Sequence, residues 1–376
     1  MYQKEMPFHE LPYSMVDYLL SESSKLSSSV YESFTEQIKN KGALREKLLS
    51  TIGIRHLSDL PTPDVPTTCG VDGSYVVQRL LAVDFAAWAS IIVEGLTPPS
   101  ETRLWPDPRF MTRVRTCSHY DETPQLVRAS MICAEMCLGN SAPHDVTLLD
   151  GSITTPTIYL NQGFAKAPRM KGTQLCADFF EQSKAGLSAY HEILLSKRTD
   201  KVFAYLPKYS TRREVGTRLM KDPPYDDRAM MTFLLEPGEF IGPVQLEAQQ
   251  QWHIGVSAHP DAASLRSVVS GVTHELDTAQ VVYYRPNRWV PALRTEMSKT
   301  VASSNARLAM LLKGLEWQTQ GAGILEPYPL FLADRMVHHL STAIPAIRMA
   351  ATQETAIRTS SNLNELFLSM NAYRTE

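Results

Sequence analysis

One short pattern of possible catalytic residues occurs twice in the chain. Residues 71–74 read Val-Asp-Gly-Ser, residues 149–152 read Leu-Asp-Gly-Ser, and an apolar segment precedes each copy. A buried strand carries such an Asp next to the core, where an unpaired charge is costly. The alternative is a pair of ordinary turns at strand ends, since Asp-Gly is a common turn dipeptide. The repetition after two apolar segments favours a pair of carboxylates, Asp72 and Asp150, that need a cation.

Two carboxylates on neighbouring strands would repel one another unless a divalent cation lay between them. Mg²⁺ and Mn²⁺ prefer oxygen ligands of this kind. Two such ions about 3.5–4 Å apart form the usual apparatus for in-line attack of water on a phosphodiester. Asp72 and Asp150 are therefore predicted metal ligands, with Mn²⁺ or Mg²⁺ as the cofactor.

A two-ion site needs further acids, and two candidates stand in predicted helices. Glu135 flanks the apolar face of one helix, and Asp334 interrupts an apolar helical stretch. Both are predicted to complete the metal cage and to act in catalysis. The alternatives are a solvated surface position for Glu135 and, for Asp334, a surface ion pair with Arg335 or His338. Asp84 also interrupts an apolar strand, and we expect it to have a buried structural role.

Positive charge is concentrated in one stretch of the chain. Residues 197–221 contain eight Lys and Arg against two acids, with two tyrosines between them. Cations and rings together bind a phosphate backbone and stack unpaired bases, whereas the alternative is a solvated loop. Lys208 follows an apolar strand and is predicted to point into the site at the strand end. The predicted DNA contacts are Lys201, Lys208, Arg212, Arg213 and Arg218.

Composition excludes several classes of protein. With 43% hydrophobic and 20% charged residues among 376, the chain is predicted to be globular. A net charge of -3 excludes a generally basic nucleic-acid binder, so any such binding needs a local patch. Five cysteines without a CxxC pair predict free thiols in a cytoplasmic protein. No secretory leader, membrane span, Walker A sequence or GxGxxG motif is expected.

The order of elements predicts three regions. Residues 1–60 form a helical N-terminal arm with a Ser-rich hinge, residues 61–351 form one catalytic domain, and residues 352–376 form a tail. The catalytic domain is predicted to be α/β, with a mixed β-sheet flanked by helices. Predicted strands are residues 69–77, 80–93, 109–119, 146–149, 202–206, 230–235, 253–257 and 281–284. Predicted helices are residues 123–138, 174–195, 299–318 and 330–351.

Five segments resemble the NurA nucleases in order and spacing. They are GVDGSYVV, LLDGSI, FAYLPKYS, VVYYRPN with LRTE, and EPYPLFLADR, within residues 65–345. The resemblance implies an RNase H-like fold and DNA cleavage with Mn²⁺ or Mg²⁺. It also implies 5′-to-3′ exonuclease activity, often with single-strand endonuclease activity. The implied partners are DNA, a second copy of the chain in a homodimer, and a hexameric HerA-like ATPase.

The resemblance also assigns roles to residues by position. Asp72 and Asp150 match metal ligands, Glu135 resembles the acid on the intervening helix, and Lys208 resembles a strand-end lysine. Asp334 stands where archaeal members are expected to have a His, so the site here would be all-carboxylate. Arg294 and Glu296 match a further motif of the family.

The expected function is that of a metal-dependent deoxyribonuclease that acts with a HerA-like translocase. Processing of DNA ends and defence against phage DNA are both compatible with this activity. The N-terminal helices are the expected dimer or partner surface. One alternative is a catalytically weak RNase H-like adaptor that binds DNA for the ATPase, motivated by Asp334. Another is a different RNase H-like enzyme, such as a resolvase.

Overall fold

The computed structural model describes residues 11–223, 225–247, 251–358 and 363–371, with only the backbone of residues 33, 34 and 36–38. The prediction that the N-terminus carries no secretory leader concerns mostly residues outside the described ranges. Parts of the predicted tail also lie outside them. The chain splits after Ile52 into two compact units.

The first unit contains one long helix, α1 (Tyr13–Thr51), of 39 residues. The predicted Ser-rich hinge is wrong, because α1 runs through that segment without a break. The hydroxyls of Ser21 and Ser23 donate to the carbonyls of Tyr18 and Leu20, at 2.7 and 2.6 Å. Serine hydroxyls that bond back to the preceding turn are compatible with a continuous helix.

The second unit is built on one mixed sheet, which has nine strands in the described residues. In chain order the strands are β1 (Arg55–His56), β2 (Thr68–Arg79), β3 (Asp84–Glu94), β4 (Arg109–Cys117), β5 (Val146–Asp150), β6 (Val202–Leu206), β7 (Glu239–Gln245), β8 (Gln280–Tyr284) and β9 (Leu293–Met297). Across the sheet their order is β1-β7-β8-β9-β6-β5-β2-β3-β4. Strands β2, β5 and β6 pair in parallel, and the other pairings are antiparallel.

Helices cover both faces of this sheet. They are α2 (Thr123–Ser141), α3 (Thr155–Lys166), α4 (Gln174–Leu195), α5 (Gly216–Leu219), α6 (Asp227–Leu234), α7 (Ala262–Leu276), α8 (Lys299–Ala302), α9 (Asn305–Gln318), α10 (Tyr328–His338), α11 (Leu340–Arg358) and α12 (Leu363–Ser369). One apolar core contains side chains of α2, α3, α4 and α7. A second core on the opposite face contains side chains of α8, α9 and α10.

Strands β5 and β6 supply both cores in strict alternation. Leu148 and Ala204 pack in the core with α9, whereas Leu149 and Tyr205 pack in the core with α2. Strands buried on both faces are read in sequence as nearly continuous apolar runs. The prediction of strands at VTLL and VFAYL is therefore correct. Because β5 and β6 are held in the core, the polar residues that follow them lie at the ends of these two strands.

Two of the predicted strands are wrong. Residues 230–235 lie largely in helix α6, whose start is capped by Asp226, which accepts a 2.9 Å bond from the amide of Ala229. Residues 253–257 form no strand, because the amide of Gly255 donates to Asn161 and not to a neighbouring strand. Short apolar runs do not distinguish a strand from a buried helix or loop.

Most of the remaining predicted elements agree with the structure, with some divisions. The predicted helical arm of residues 1–60 is wrong beyond Thr51, where α1 ends, because residues 55–56 form strand β1 and pair with β7. The predicted strand 80–93 begins only at Asp84. Helix 299–318 is interrupted between α8 and α9, where Ser304 caps α9, and residues 330–351 are divided between α10 and α11. All five cysteines are free thiols. Among the described residues, no helix combines the length and the apolar character needed to span a bilayer.

Candidate active site

The two Asp-Gly-Ser copies lie side by side on adjacent strands. Strands β2 and β5 run parallel with Val71 opposite Leu149, so Asp72 and Asp150 follow at equivalent positions of the ladder. Parallel neighbours bring residues at equivalent positions together, which is why a repeated tripeptide produces a pair of carboxylates. Asp72 is only 7% exposed, and its Oδ1 accepts a 2.8 Å bond from the amide of Gly73.

Gly73 lies inside strand β2 and provides the space through which Glu135 reaches the site. A Cβ atom built on Gly73 would collide with Glu135 Oε1, and would lie 2.8 Å from Met131 Cγ and 2.9 Å from Ser90 Oγ. Glu135 projects from α2 and is 3% exposed. The predicted helix acid is therefore buried beside the two aspartates, and the surface alternative is wrong.

Gly70 has the corresponding role on the opposite face of β2. A Cβ there would lie 2.6 Å from the carbonyl carbon of Pro329 and 2.7 Å from the amide of Leu330, so the backbone of α10 packs directly on the strand. This close approach brings Asp334 of α10 and Glu326, which precedes that helix, to the site.

Lys208 occupies the centre of these carboxylates. Its Nζ lies 3.3 Å from Glu326 Oε2, 3.4 Å from Asp334 Oδ1 and 3.7 Å from Asp150 Oδ2. Burial lowers the pKa of Lys208, but the charges of Asp150 and Glu326 outweigh it and raise that pKa overall. Lys208 is therefore a fixed positive charge at the end of β6, as predicted from its position after an apolar strand.

The pKa values of these carboxylates are raised, because the groups are buried close to one another. Burial, reinforced by the charge of Asp150, raises the pKa of Asp72 to about 8. Burial and then the charges of Asp72 and Asp150 raise the pKa of Glu135 well above its usual range. Burial also raises the pKa of Asp150, against the opposing effect of Lys208. Buried carboxylates that share a site resist ionisation together, and a bound cation reverses that effect.

The donor set can be tested for its fit to a divalent cation. As the structure stands, no three His, Cys, Asp or Glu side chains among the described residues converge as metal ligands. The cation within the cluster is Lys208. The donors are nevertheless carboxylate oxygens, which Mn²⁺ and Mg²⁺ prefer. In addition, the buried Oδ1 of Asp150 has no hydrogen-bond partner in the described part of the chain. The residues fit a divalent cation by donor type and charge, with Lys208 as its neighbour.

The predicted DNA-contact residues do not all lie near this site. Lys201 is 2% exposed at the start of β6, where its ammonium donates to the carbonyl of Ala142. The prediction that Lys201 contacts DNA is therefore corrected, because its charge is used inside the protein at the opposite end of the strand. Arg213 and Arg218 are exposed, and Arg212 is half-buried and bonds to the carbonyl of Glu247.

A cavity of about 600 Å³ adjoins Lys208. Tyr209 stands at its edge with its side chain 95% exposed, and Arg228 lines its wall. Cavities of this size accommodate small organic groups such as a nucleoside.

One site residue was not predicted, and one assignment outside the site is confirmed. Glu326 contacts Lys208 and is the first residue of the segment EPYPLFLADR, so its place within a segment that carries the resemblance was the available signal. Asp84 has the predicted structural role, since it is 1% exposed and bonds to Arg79 and His119 at 3.1 and 2.8 Å.

Comparison with known proteins places this geometry in a structural context. No protein-family model matches the sequence, and no curated protein matches it either. Among solved structures, the NurA nuclease from Sulfolobus solfataricus matches with a TM-score of 0.57 at 11% identity, over 92% of this chain and 98% of that one. The chain has the NurA nuclease fold. This confirms the predicted resemblance and the predicted fold class of a mixed sheet flanked by helices.

Two further NurA structures agree with this result. One, bound to dAMP and manganese, has a TM-score of 0.50 at 14% identity and covers 96% of this chain and 100% of that one. Another, with manganese, has a TM-score of 0.50 at 14% identity and covers 87% of this chain and 98% of that one. In this NurA fold, Asp150 and Lys208 lie at the carboxyl ends of parallel strands, the usual place for ligands in α/β sheets.

Proposed function

We propose that the chain is a divalent-metal-dependent nuclease that hydrolyses DNA phosphodiesters. The observation that carries the proposal is the alignment of Asp72 and Asp150 on adjacent parallel strands, with Glu135 buried beside them. Nothing in the packing of the core requires three acids in this position, and burying them is costly. Chemistry on a charged substrate with a bound cation accounts for that cost.

Each side chain has a distinct part in the proposed reaction. A divalent cation held by Asp72, Asp150 and Glu135 would polarise the phosphate and favour the formation of hydroxide from water. Lys208 holds a positive charge beside the carboxylates, where it opposes the charge that develops on phosphate oxygens. Glu326 and Asp334 contact the ammonium of Lys208 at 3.3 and 3.4 Å and keep it oriented. Asp334 also stays a proposed fourth ligand of the cation, as the sequence predicts.

The proposed path of DNA follows the surface beyond Lys208. The cavity beside Lys208 contains the exposed ring of Tyr209 and the cation of Arg228, a combination that stacks an unpaired base and pairs with phosphate. The exposed Arg213 and Arg218 lie on the segment that follows. This arrangement supports cleavage of single strands or frayed ends, with 5′-to-3′ exonuclease and single-strand endonuclease activity as the proposed modes.

A homodimer and a hexameric HerA-like ATPase are the proposed protein partners. Helix α1 supports this proposal, since large apolar side chains on it are exposed, among them Tyr18, Leu26 and Tyr31. Exposed apolar side chains along one helix are typical of an association surface. Light scattering of the full chain and of its Leu26→Glu variant tests the homodimer, and co-purification with a HerA-type ATPase tests the second partner. DNA end processing and defence against phage DNA are proposed contexts.

The nuclease proposal is tested with a labelled single-stranded oligonucleotide in Mn²⁺. The wild-type protein should cleave it, Asp72→Ala should not, and chelation of the metal should stop the reaction. Asp121→Ala is the matched control, because Asp121 has an almost fully exposed carboxylate outside the site. Absence of cleavage by the wild type, both alone and with a HerA-type ATPase, would refute the proposal. Equal cleavage by wild type and Asp72→Ala would refute the site.

A second candidate is a DNA-binding adaptor with little catalytic activity. The observation that favours it is the position of Lys208, whose ammonium neutralises carboxylates that would otherwise require a metal. If the protein is an adaptor, it should bind the oligonucleotide as tightly in chelator as in Mn²⁺ and leave it intact in Mn²⁺. Binding and cleavage measured on the same samples separate the two functions.

A further inference from the structure

Arg294 is a fully buried arginine that makes three charge-assisted bonds. Both of its Nη atoms donate to the carboxylate of Glu214 at 2.8 Å, and its Nε donates to Glu296 at 2.7 Å. Its side chain is inaccessible to solvent, and both partners are almost completely buried. The bidentate geometry fixes the plane of the guanidinium and hence the position of both carboxylates.

Glu296 connects this arginine to the turn that carries Asp150. The second oxygen of Glu296 accepts a 2.7 Å bond from Ser152 Oγ and a 2.9 Å bond from the amide of Ile153. These two donors follow Gly151, which turns the chain with a φ of 81° directly after Asp150. Glu296 therefore holds the backbone that immediately follows a proposed metal ligand.

Glu214 connects the same arginine to the segment that carries Lys208. Glu214 lies six residues after Lys208, and the next amides, of Val215 and Gly216, donate to Asp227 at 2.8 and 2.7 Å. The beginning of the segment is held as well, because Arg228 donates to the carbonyl of Lys208. One guanidinium thus links the turn after β5 to the loop after β6.

We propose that Arg294 and Glu296 are positioning residues that hold Asp150 and Lys208 at the separation the reaction needs. This inference rests on the proposed function. A buried ion pair is a poor device for stability alone, since well-packed apolar residues of similar volume often serve as well or better. Its directional bonds instead orient the groups that bear the functional side chains. Loss of such a supporting contact typically lowers metal affinity or activity by 10–100-fold.

The test compares Arg294→Lys and Glu296→Gln with the matched control Arg307→Lys. Arg307 is also a buried arginine, but it bonds to Ser196 and to the carbonyl of Lys201 at the other end of β6. Lysine keeps the charge at position 294 but does not reproduce the bidentate fork. All proteins are measured at a temperature at which thermal unfolding curves show them folded.

Three readouts are expected to separate the variants. Arg294→Lys and Glu296→Gln should bind Mn²⁺ about 10-fold more weakly by calorimetry and lower kcat about 10-fold or more with little change in KM. In the metal-free protein the amide of Ile153 should exchange hydrogen about 10-fold faster in Glu296→Gln. Arg307→Lys should match the wild type in all three, although it also removes a buried contact. Ser152→Ala, which retains the ion pair, provides a milder variant should the others fail to fold, with a few-fold loss of kcat.

The inference is overturned if the Arg294 and Glu296 variants, or Ser152→Ala in their place, match Arg307→Lys in Mn²⁺ affinity, kcat and exchange at Ile153. That result leaves the nuclease proposal intact, because the wild type still binds Mn²⁺ and cleaves. If the wild type does neither, the proposed function fails, and exchange at Ile153 still reports whether Glu296 holds the turn.

Discussion

The two Asp-Gly-Ser copies have the same sequence and opposite backbone roles. The first copy runs straight through strand β2, where Gly73 pairs with Ser90 of β3 and leaves room for the carboxylate of Glu135. The second copy ends strand β5, where Gly151 adopts a φ of 81° and turns the chain. In one copy glycine supplies space, and in the other it supplies a backbone conformation. The same tripeptide therefore presents one aspartate from the middle of a strand and the other from the last residue of a strand, directly before a turn.

The largest expected effect comes from removing either aspartate, since both belong to one cluster. Asp72→Asn and Asp150→Asn should each lower Mn²⁺-dependent cleavage about a thousandfold, because several kcal/mol of charge stabilisation are lost and 1.4 kcal/mol is tenfold. Initial rates on a labelled oligonucleotide measure the loss, with Asp121→Asn as the exposed control. A large loss for one aspartate alone would show that the two copies are not equivalent in function.

The two glycines should respond differently to alanine. Gly73→Ala would overlap Glu135, so we expect about 1–3 kcal/mol of destabilisation and a 10–100-fold loss of activity as that carboxylate is displaced. Gly151→Ala has open space around it, with the nearest atom, Thr155 Oγ1, at 3.6 Å. Its cost is backbone strain of about 1–2 kcal/mol, with activity reduced a few-fold. Urea unfolding and cleavage rates measure both.

Asparagine separates the two explanations, because it tolerates positive φ better than alanine does but is larger. Gly151→Asn should be more stable than Gly151→Ala, whereas Gly73→Asn should be less stable than Gly73→Ala. The reverse order at either position would contradict the role assigned to that glycine.

The pH dependence of stability should also distinguish the two aspartates. In the unfolded chain Asp72 ionises near its usual value of 3.8, and in the folded protein its pKa is about 8. Between these values the folded state holds a proton that the unfolded state has lost, so the stability of the metal-free protein falls as pH rises. Asp72→Asn removes the contribution of Asp72, while Glu135 and Asp150, whose pKa values are also raised, keep part of the dependence. The free energy of unfolding of Asp72→Asn should exceed that of the wild type by roughly 3–5 kcal/mol at pH 8.5, at about 1.4 kcal/mol per pKa unit.

Urea unfolding in chelator, at pH 5 and at pH 8.5, measures this difference in the free energy of unfolding. Asp150→Asn should be stabilised less than Asp72→Asn, because Lys208 lies 3.7 Å from Asp150 and opposes the rise of its pKa. Equal pH dependence of the wild type and Asp72→Asn would contradict the assignment of Asp72 as the carboxylate that is hardest to ionise in the pair.

The smallest expected effect lies at the serines. Ser152 donates to Glu296 at 2.7 Å, whereas Ser74 makes no side-chain hydrogen bond within the part of the chain that the structure describes. Ser152→Ala should therefore cost about 1 kcal/mol, and Ser74→Ala should be neutral within the error of thermal unfolding. A cost at Ser74 as large as that at Ser152 would show that the first serine has a partner of its own.

Prediction from sequence succeeded where burial itself leaves a pattern. The apolar runs that become β5 and β6 are buried on both faces. Of the acids that interrupt or follow apolar segments, Asp72 and Glu135 are buried and Asp150 is half-buried. It failed for residues 230–235 and 253–257, since a short apolar run has the same pattern in a helix, a strand or a packed loop. The prediction of a hinge failed because the serine hydroxyls bond to carbonyls of the preceding turn and the helix continues through them.

By itself, the sequence determined which acids and strands are available for a metal site and predicted the NurA resemblance. The tertiary structure alone decided which charges meet. In the folded protein Lys201 lies at the far end of β6, and Glu326 contacts Lys208 in the site. The ion pair of Arg294 with Glu296 forms within the buried network, and no local sequence pattern predicts its role. The physical reason is that burial and alternation are local properties of a chain. The partner of a charge, in contrast, depends on the register of strands and on the approach of helices from distant segments.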